Sequence, residues 1–325
     1  MLRWIEQYLT ITRKSFTVFL GDPLVILVNL SFIAITSLVA GLPGFTFGEQ
    51  IQMLRDQVLA MAFSGGCLVA AFGAGMLVSD DMQNGMIPLI MSRPVRPSAF
   101  IFGRWTGITG VLGVLLFTAC VCCLWATRMI YFEEEIEILS VVIYWCILLA
   151  CLLFMAVRHY FFRGAFVWQA NIAIALSMAV AFLILNFWGY NGKLPSDYGA
   201  LVDWKSAYAY ISIFMALCVF AAILCFLSVF LQQSALLITG LIIFFAGLFI
   251  RYFIDMIPEE NTRYLLMVFL PDWQTYWISD KIRFIGSSFP VKLLCSTFFQ
   301  TLSQSLIYLS LALAVFRRKE ISGSL

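Results

Sequence analysis

The chain has 325 residues, of which 62% are hydrophobic and 12% charged, with a net charge of +2 and a mean hydropathy of +0.95. Soluble domains carry about a quarter charged residues, so a water-soluble fold is excluded and the chain reads as an integral membrane protein. The basic residues are scattered among loops rather than gathered on one face, which excludes a nucleic-acid partner.

Residues 1–23 place Leu2, Ile5, Leu9, Phe16 and Phe19 at three- and four-residue spacing, with Arg3, Glu6, Arg13 and Lys14 elsewhere on the wheel. That pattern predicts an amphipathic helix at the membrane interface, with Arg13 and Lys14 anchoring it to the surface. The same stretch has no compact apolar core before a small-residue cleavage site, so it does not read as a cleavable signal.

A membrane-spanning helix needs about 20 apolar residues. Eight runs meet that length, near 24–42, 58–79, 105–127, 138–157, 166–188, 207–230, 235–255 and 292–316. The fold class is therefore all-α polytopic, with a transmembrane domain over 24–316 and a basic tail over 317–325. Eight crossings put both termini on one side. The close basic pairs Arg13-Lys14, Arg93/Arg96, Arg158/Arg163 and Arg317-Arg318 all fall on that side, which the bias of basic residues in short loops makes cytoplasmic.

The second run carries Ala62, Gly66, Ala70 and Ala74, and the third opens with Gly103, Gly107, Gly110 and Gly113, stripes that let helices approach closely. These two spans are expected to pack on each other through those stripes. Arg128 and the run Glu133-Glu134-Glu135-Ile136-Glu137 read as a solvated outer loop rather than a cation-binding mouth. His159, the sole histidine, reads as an interface residue. In the larger outer segments, 189–206 and 256–291, Pro258, Pro271 and Pro290 interrupt the second, while Trp273, Tyr276, Trp277 and Phe284 suit short re-entrant or surface helices at headgroup depth. The final span sets Ser296, Gln300, Ser303 and Ser310 on one face with Gln304 beside it, where polar groups either glue helices together or line a pathway. All nine cysteines lie in or beside apolar runs, so they read as packing residues, and the single Cys-x-x-Cys, Cys120 to Cys123, has no second pair to complete a metal site.

Between the second and third runs lies a polar island, Asp80-Asp81-Met82-Gln83-Asn84-Gly85-Met86-Ile87-Pro88-Leu89-Ile90-Met91-Ser92-Arg93-Pro94-Val95-Arg96-Pro97, continuing to Gly103-Arg104. Gly85, Pro88, Pro94 and Pro97 would leave backbone groups unpaired in hydrocarbon, so the island belongs at an aqueous face. An acid closing the second span, a glycine four positions on, a hydrophobic stretch, then Ser92-Arg93-Pro94-Val95-Arg96 and Phe102-Gly103-Arg104 together resemble the membrane subunits of the type-2 exporter family of ABC transporters. Gln83 and Pro88 depart from that pattern, since acids are common at both positions. Thr12-Arg13-Lys14 followed by Gly21-Asp22-Pro23 is similar to the family's basic N-terminal helix, and Phe316-Arg317-Arg318-Lys319-Glu320-Ile321 is similar to its closing block.

The resemblance implies a six-span exporter core, here with an extra hairpin at 138–188, and short outer helices before the last span. It implies a cytoplasmic-membrane location and a dimer of membrane subunits, homologous or identical, carrying two ATPase chains. Coupling to the ATPase would run through Asp80, Asp81, Gln83, Gly85, Ile87, Leu89, Ile90 and Met91. Arg93, Pro94, Arg96 and Arg104 would hold the island at the surface, with Arg317 and Arg318 doing the same for the tail, and an accessory extracytoplasmic protein is a further partner. The chain has no Gly-x-x-x-x-Gly-Lys-Ser/Thr phosphate loop, so ATP and magnesium would be bound by the partner and no cofactor by this chain. Two other classes stay open on the residues alone: a polytopic enzyme of lipid metabolism, for which Asp80-Asp81 would need a second acidic motif that is absent, and a channel or scaffold.

Overall fold

The computed structural model describes residues 2–41, 50–83, 96–130, 137–163, 165–189, 198–257, 259–282 and 291–322. Among these residues the secondary structure is helical, and eight helices are long and apolar enough to cross a membrane. The chain is an all-α polytopic membrane protein.

Helix α1 (Leu2–Leu20) turns at Gly21-Asp22 into α2 (Pro23–Gly41). The Asp22 carboxylate accepts the Leu24 amide at 2.8 Å and Pro23 takes the first helical position, where its missing N–H costs nothing. Helix α3 (Gln50–Ala74) passes through a π-helical turn (Gly75–Ser79) into α4 (Asp80–Gln83). Arg96, extended as a residue before proline must be, leads into α5 (Pro97–Met129). Helices α6 (Ile138–Phe162) and α7 (Phe166–Leu185) form a hairpin whose turn places Arg163 in the left-handed region at φ 48°. Then come α8 (Ser206–Leu227), α9 (Gln233–Asp255), the short α10 (Glu260–Phe269), α11 (Trp273–Tyr276) and α12 (Ser279–Ile282), and the long α13 (Val291–Ser322).

The rod from Gln50 to Gln83 is 34 residues and α5 is 33. Each is about 50 Å long, against roughly 30 Å of hydrocarbon. Both exceed the expected runs 58–79 and 105–127, because the charges that seemed to end them are paired: Arg55 with Asp203, and Arg104 with Asp81. The two ends of the bundle are named below by Asp81 and Arg55.

Helices α3, α5 and α8 form the centre. Two-thirds or more of the residues in their apolar windows are buried, against a third or less in the other five spans. Helix α2 packs on α3 and α5, α9 on α3, and α13 on α8, while α6 rests mainly on α7 at the periphery. The glycine stripes serve other partners than expected. Helices α3 and α5 do pack together, but Gly103, Gly107 and Gly110 face Ile11, Ser15 and Phe16 of α1, and Gly66 faces Leu217 of α8. Spacing marks a close-packing face without saying which helix covers it.

Three further expectations are corrected. Arg128 and Glu137 are not solvated: each is 2% exposed. The Arg128 guanidinium donates to Glu137 Oε2 and Ser140 Oγ, both at 3.2 Å, to the Leu185 and Trp188 carbonyls at 2.6 and 2.8 Å, and to Asn186 Oδ1 at 3.2 Å, so it caps the end of α7. Glu133 to Ile136 lie outside the described residues.

On the last span, Ser296, Ser303 and Ser310 point away from the bundle, and their hydroxyls return to their own helix at the Leu293, Gln300 and Ile307 carbonyls. Gln300 is half-buried, and the inward polar face is Thr297, Thr301, Gln304 and Ser305. A hydroxyl bonded to its own backbone can face lipid, which removes the reason to turn that stripe inward.

Trp273 and Tyr276 do not lie on the surface but are buried in the bundle. Trp273 packs edge-on against Phe63 and Phe220 and over Gly247, and its indole N–H donates to the Phe244 carbonyl at 3.1 Å. Tyr276 meets Thr301 and Gln304 of α13. Trp277 is half-buried against the core, while Pro258, Phe284 and Pro290 lie outside the described residues. His159 is exposed, its ring 5.7 Å from that of Phe166. All nine cysteines are free, and the described residues contain no cluster of His, Cys, Asp or Glu arranged for a metal.

Candidate functional site

At the Asp81 end, the island emerges from α4 and returns at Arg96. Residues 84–95 lie outside the described residues, and with them Gly85, Ile87, Leu89, Ile90, Met91, Arg93 and Pro94. What is described is the neck that holds both of their ends.

Helix α1 builds one wall of the neck. It runs parallel to the start of α5, as the sequence of contacts shows: Trp4 Nε1 donates to Ser98 Oγ at 3.1 Å, Thr12 and Thr106 hydroxyls meet at 3.0 Å, and Ser15 and Phe16 lie on Gly107 and Gly110. Of the apolar stripe that predicts a surface-lying helix, Phe16 packs on Gly110 of α5 and Phe19 on Gly73 of α3, while Ile5 and Leu9 stay 41% and 57% exposed, as a helix lying on lipid requires. Arg13 and Lys14 stay on the exposed side.

The centre of the neck is an ion pair. Arg104 Nη2 donates to Asp81 Oδ2 at 2.5 Å, and Nη1 donates to Ser15 Oγ at 3.3 Å. The two side chains are 15% and 19% exposed, so the pair is shielded from most of the solvent that weakens surface ion pairs. The guanidinium lies over the Phe100 ring at 5.2 Å, and Phe100 in turn packs on Phe316, so the end of α13 joins the same stack. Arg104 Nε is buried without a hydrogen-bond partner among the described residues. Lys14 is within electrostatic reach of Asp81.

The π-helical turn ties the neck to a further element. Ser79, fully buried, donates to the Leu231 carbonyl in the α8–α9 turn at 2.6 Å, and Gln83 Nε2 donates to Ser79 Oγ at 3.1 Å. Gly75 is pressed against Gln233 at the start of α9, leaving no room for a side chain. Across the island, the Arg96 amide donates to Gln7 Oε1 at 3.3 Å. Both ends of the 84–95 segment are therefore fixed, one through Gln83 to Ser79 and the other through Arg96 to α1.

Of the residues expected to couple or anchor, the structure brings Asp81, Arg104 and Lys14 together and sets Arg96 and Gln83 at the two ends of the segment. Asp80 is half-buried, and Arg317 is exposed one residue beyond Phe316; the Arg318 side chain lies outside the described residues. Gly103 and Gly107 belong to this neck through α1, while Gly66, Ser296, Gln300, Ser303 and Gln304 lie elsewhere. Sequence reasoning missed Gln7, Ser15, Ser79 and Phe100. No local signal in the sequence marks these four residues. Comparison with protein-family models and with curated proteins finds no match for this chain.

Proposed function

We propose that the chain is the permease subunit of an ATP-driven exporter, resembling the type-2 ABC family, set in the cytoplasmic membrane with the Asp81 end and both termini in the cytoplasm. Two such membrane subunits pair with two ATPase chains that bind ATP and magnesium, and the 80–97 segment seats in a groove of the ATPase. The observation that supports this most is the anchoring of both ends of that segment on one neck, where α1, α4, α5 and the α8–α9 turn meet. A push on the segment is then delivered to α3 and α5, two of the three central helices. Coupling of this kind needs a stiff element biased between two positions by the partner.

Leu89→Glu and Gly85→Val, made singly in a chain whose insertion has been checked, test the assignment. Each is expected to abolish co-purification of the partner ATPase and to stop ATP-dependent export. Normal ATPase association and export in both variants would overturn it. Reporter fusions at Ser196 and Ser322 are expected on opposite sides of the membrane, and the same side for both would overturn the eight-crossing topology.

A further inference from the structure

The opposite end of α3 carries a polar ring that the sequence reading passed over. Arg55, 5% exposed, donates from Nε to Ser279 Oγ at 3.0 Å, from Nη2 to the Ser279 carbonyl at 3.4 Å and from Nη1 to Asp203 Oδ2 at 3.2 Å. Asp203 also accepts the Ser206 hydroxyl at 2.7 Å, and its amide donates to Thr127 Oγ1 of α5 at 3.4 Å. The Ser279 hydroxyl in turn donates to Asp56. One guanidinium therefore holds together α3, α12, the turns before α8 and, through Asp203, α5.

The ring is asymmetric. The Asp56 and Asp203 side chains are 31% and 22% exposed while that of Arg55 is 6%, so the carboxylates form the outer part of the ring and the cation the buried part. Cys123 is within electrostatic reach of Arg55, Asp203 and Asp56, with the buried Tyr210 hydroxyl of α8 beside it. These groups lie between the three central helices.

We propose that Arg55 is a latch that holds α12 and the 203–206 segment closed over this end of the α3–α5–α8 core. The pieces it holds are short: α12 has four residues, and the approach to α8 is a series of turns. Neighbouring α11 is fastened independently by Trp273 and by Ser212, which donates to the Tyr276 carbonyl at 2.7 Å, so the latched pieces can release without unseating it. A buried guanidinium that loses its partners must be hydrated, so the ring has two natural states, closed and dry or open and wet, with little between. The rod from Gln50 to Gln83 carries Arg55 near one end and Asp81 near the other, so it connects the candidate docking neck to the latch, with the π-helical turn between them. The use of the latch as an export gate rests on the permease reading; the latch itself rests on the ring.

The test is the labelling rate of Thr127→Cys, a near-isosteric reporter on the ring's floor and fully buried, by a membrane-impermeant maleimide on the full chain in nanodiscs. The exposed Cys146 and Cys295 are first replaced by Ala. With Arg55 intact the reporter should be protected. Arg55→Met should label at least tenfold faster, and the shape-preserving Asp203→Asn severalfold faster. Rates within twofold of the parent, in variants with unchanged near-ultraviolet circular dichroism, would overturn the latch; if Arg55→Met does not fold, Asp203→Asn decides by the same rule. The measurement needs no ATPase, so failure of the permease reading and failure of the latch give different results.

Discussion

Ser15 of α1 and Gly107 of α5 meet so closely that a β-carbon on Gly107 would overlap the Ser15 side chain and press on the Phe16 amide nitrogen at 3.2 Å. The docking of the N-terminal helix thus depends on one missing methyl group. Gly107→Leu should cost about 1–3 kcal/mol through overpacking, and should speed tryptic cleavage after the already exposed Arg13 and Lys14 as α1 lifts away and frays. Gly41→Leu, at a glycine with nothing within 4 Å among the described residues, is the control and should leave the melting temperature and the cleavage pattern unchanged.

The Asp81–Arg104 pair predicts a strong coupling in a double-mutant cycle. Asp81→Asn and Arg104→Gln should each lose about 1.5–3 kcal/mol, the range for hydrogen bonds to charged groups, and the double variant should lose clearly less than the sum. Strict additivity in detergent melts at low and high salt would show that the contact contributes nothing to holding the neck.

The Arg128 cap predicts an opposite asymmetry between breaking and replacing. Glu137→Gln or Arg128→Met alone should cost about 3–5 kcal/mol, since either leaves a fully buried charge or a set of carbonyls unpaired. Arg128→Met combined with Glu137→Leu should recover part of that loss. Melts of the three variants, followed by tryptophan fluorescence, give the comparison.

Burial raises the Tyr276 hydroxyl to about 12, and the neighbouring Thr301 only partly offsets it. A folded-state value above that of the unfolded chain means the stabilisation is complete below pH about 10 and is lost as pH rises from there toward the folded value. Tyr276→Phe should therefore be less stable than the parent at pH 8, by about 1 kcal/mol for its hydrogen bonds, and the gap should narrow above pH 10. A gap that stays constant to pH 11.5 would contradict the burial argument.

The eight crossings were legible because a run of about 20 apolar residues has almost no other use. Their ends were not. Arg55 and Arg104 look like boundaries when read locally, and only the fold shows that Asp203, far along the chain, and Asp81, across the island, neutralise them. The glycines of α5 announced a close approach but not its partner, since an amphipathic α1 could equally lie on lipid. At the candidate site, Asp81 and Arg104 stood out as charges flanking an irregular segment. Ser15 and Ser79 did not, because a lone serine in a helix usually bonds its own backbone, and nothing in sequence distinguishes one that reaches Arg104 or Leu231.

The parallel pairing of α1 with α5 also sets an order of assembly. Ribosomes add about 5–20 residues per second, so the surface that receives Ser15 is made on the order of ten seconds after Ser15 itself. Through that interval α2 and α3 are already being inserted, so Phe19 can find Gly73 of α3, but Ile11 and Phe16 do not yet have α5 and the bilayer surface can cover them. Once Gly103, Gly107 and Gly110 emerge, Ile11, Ser15 and Phe16 exchange lipid for the groove on α5, while Ile5 and Leu9 stay exposed, so the helix keeps one side for the bilayer surface and gives the other to the bundle.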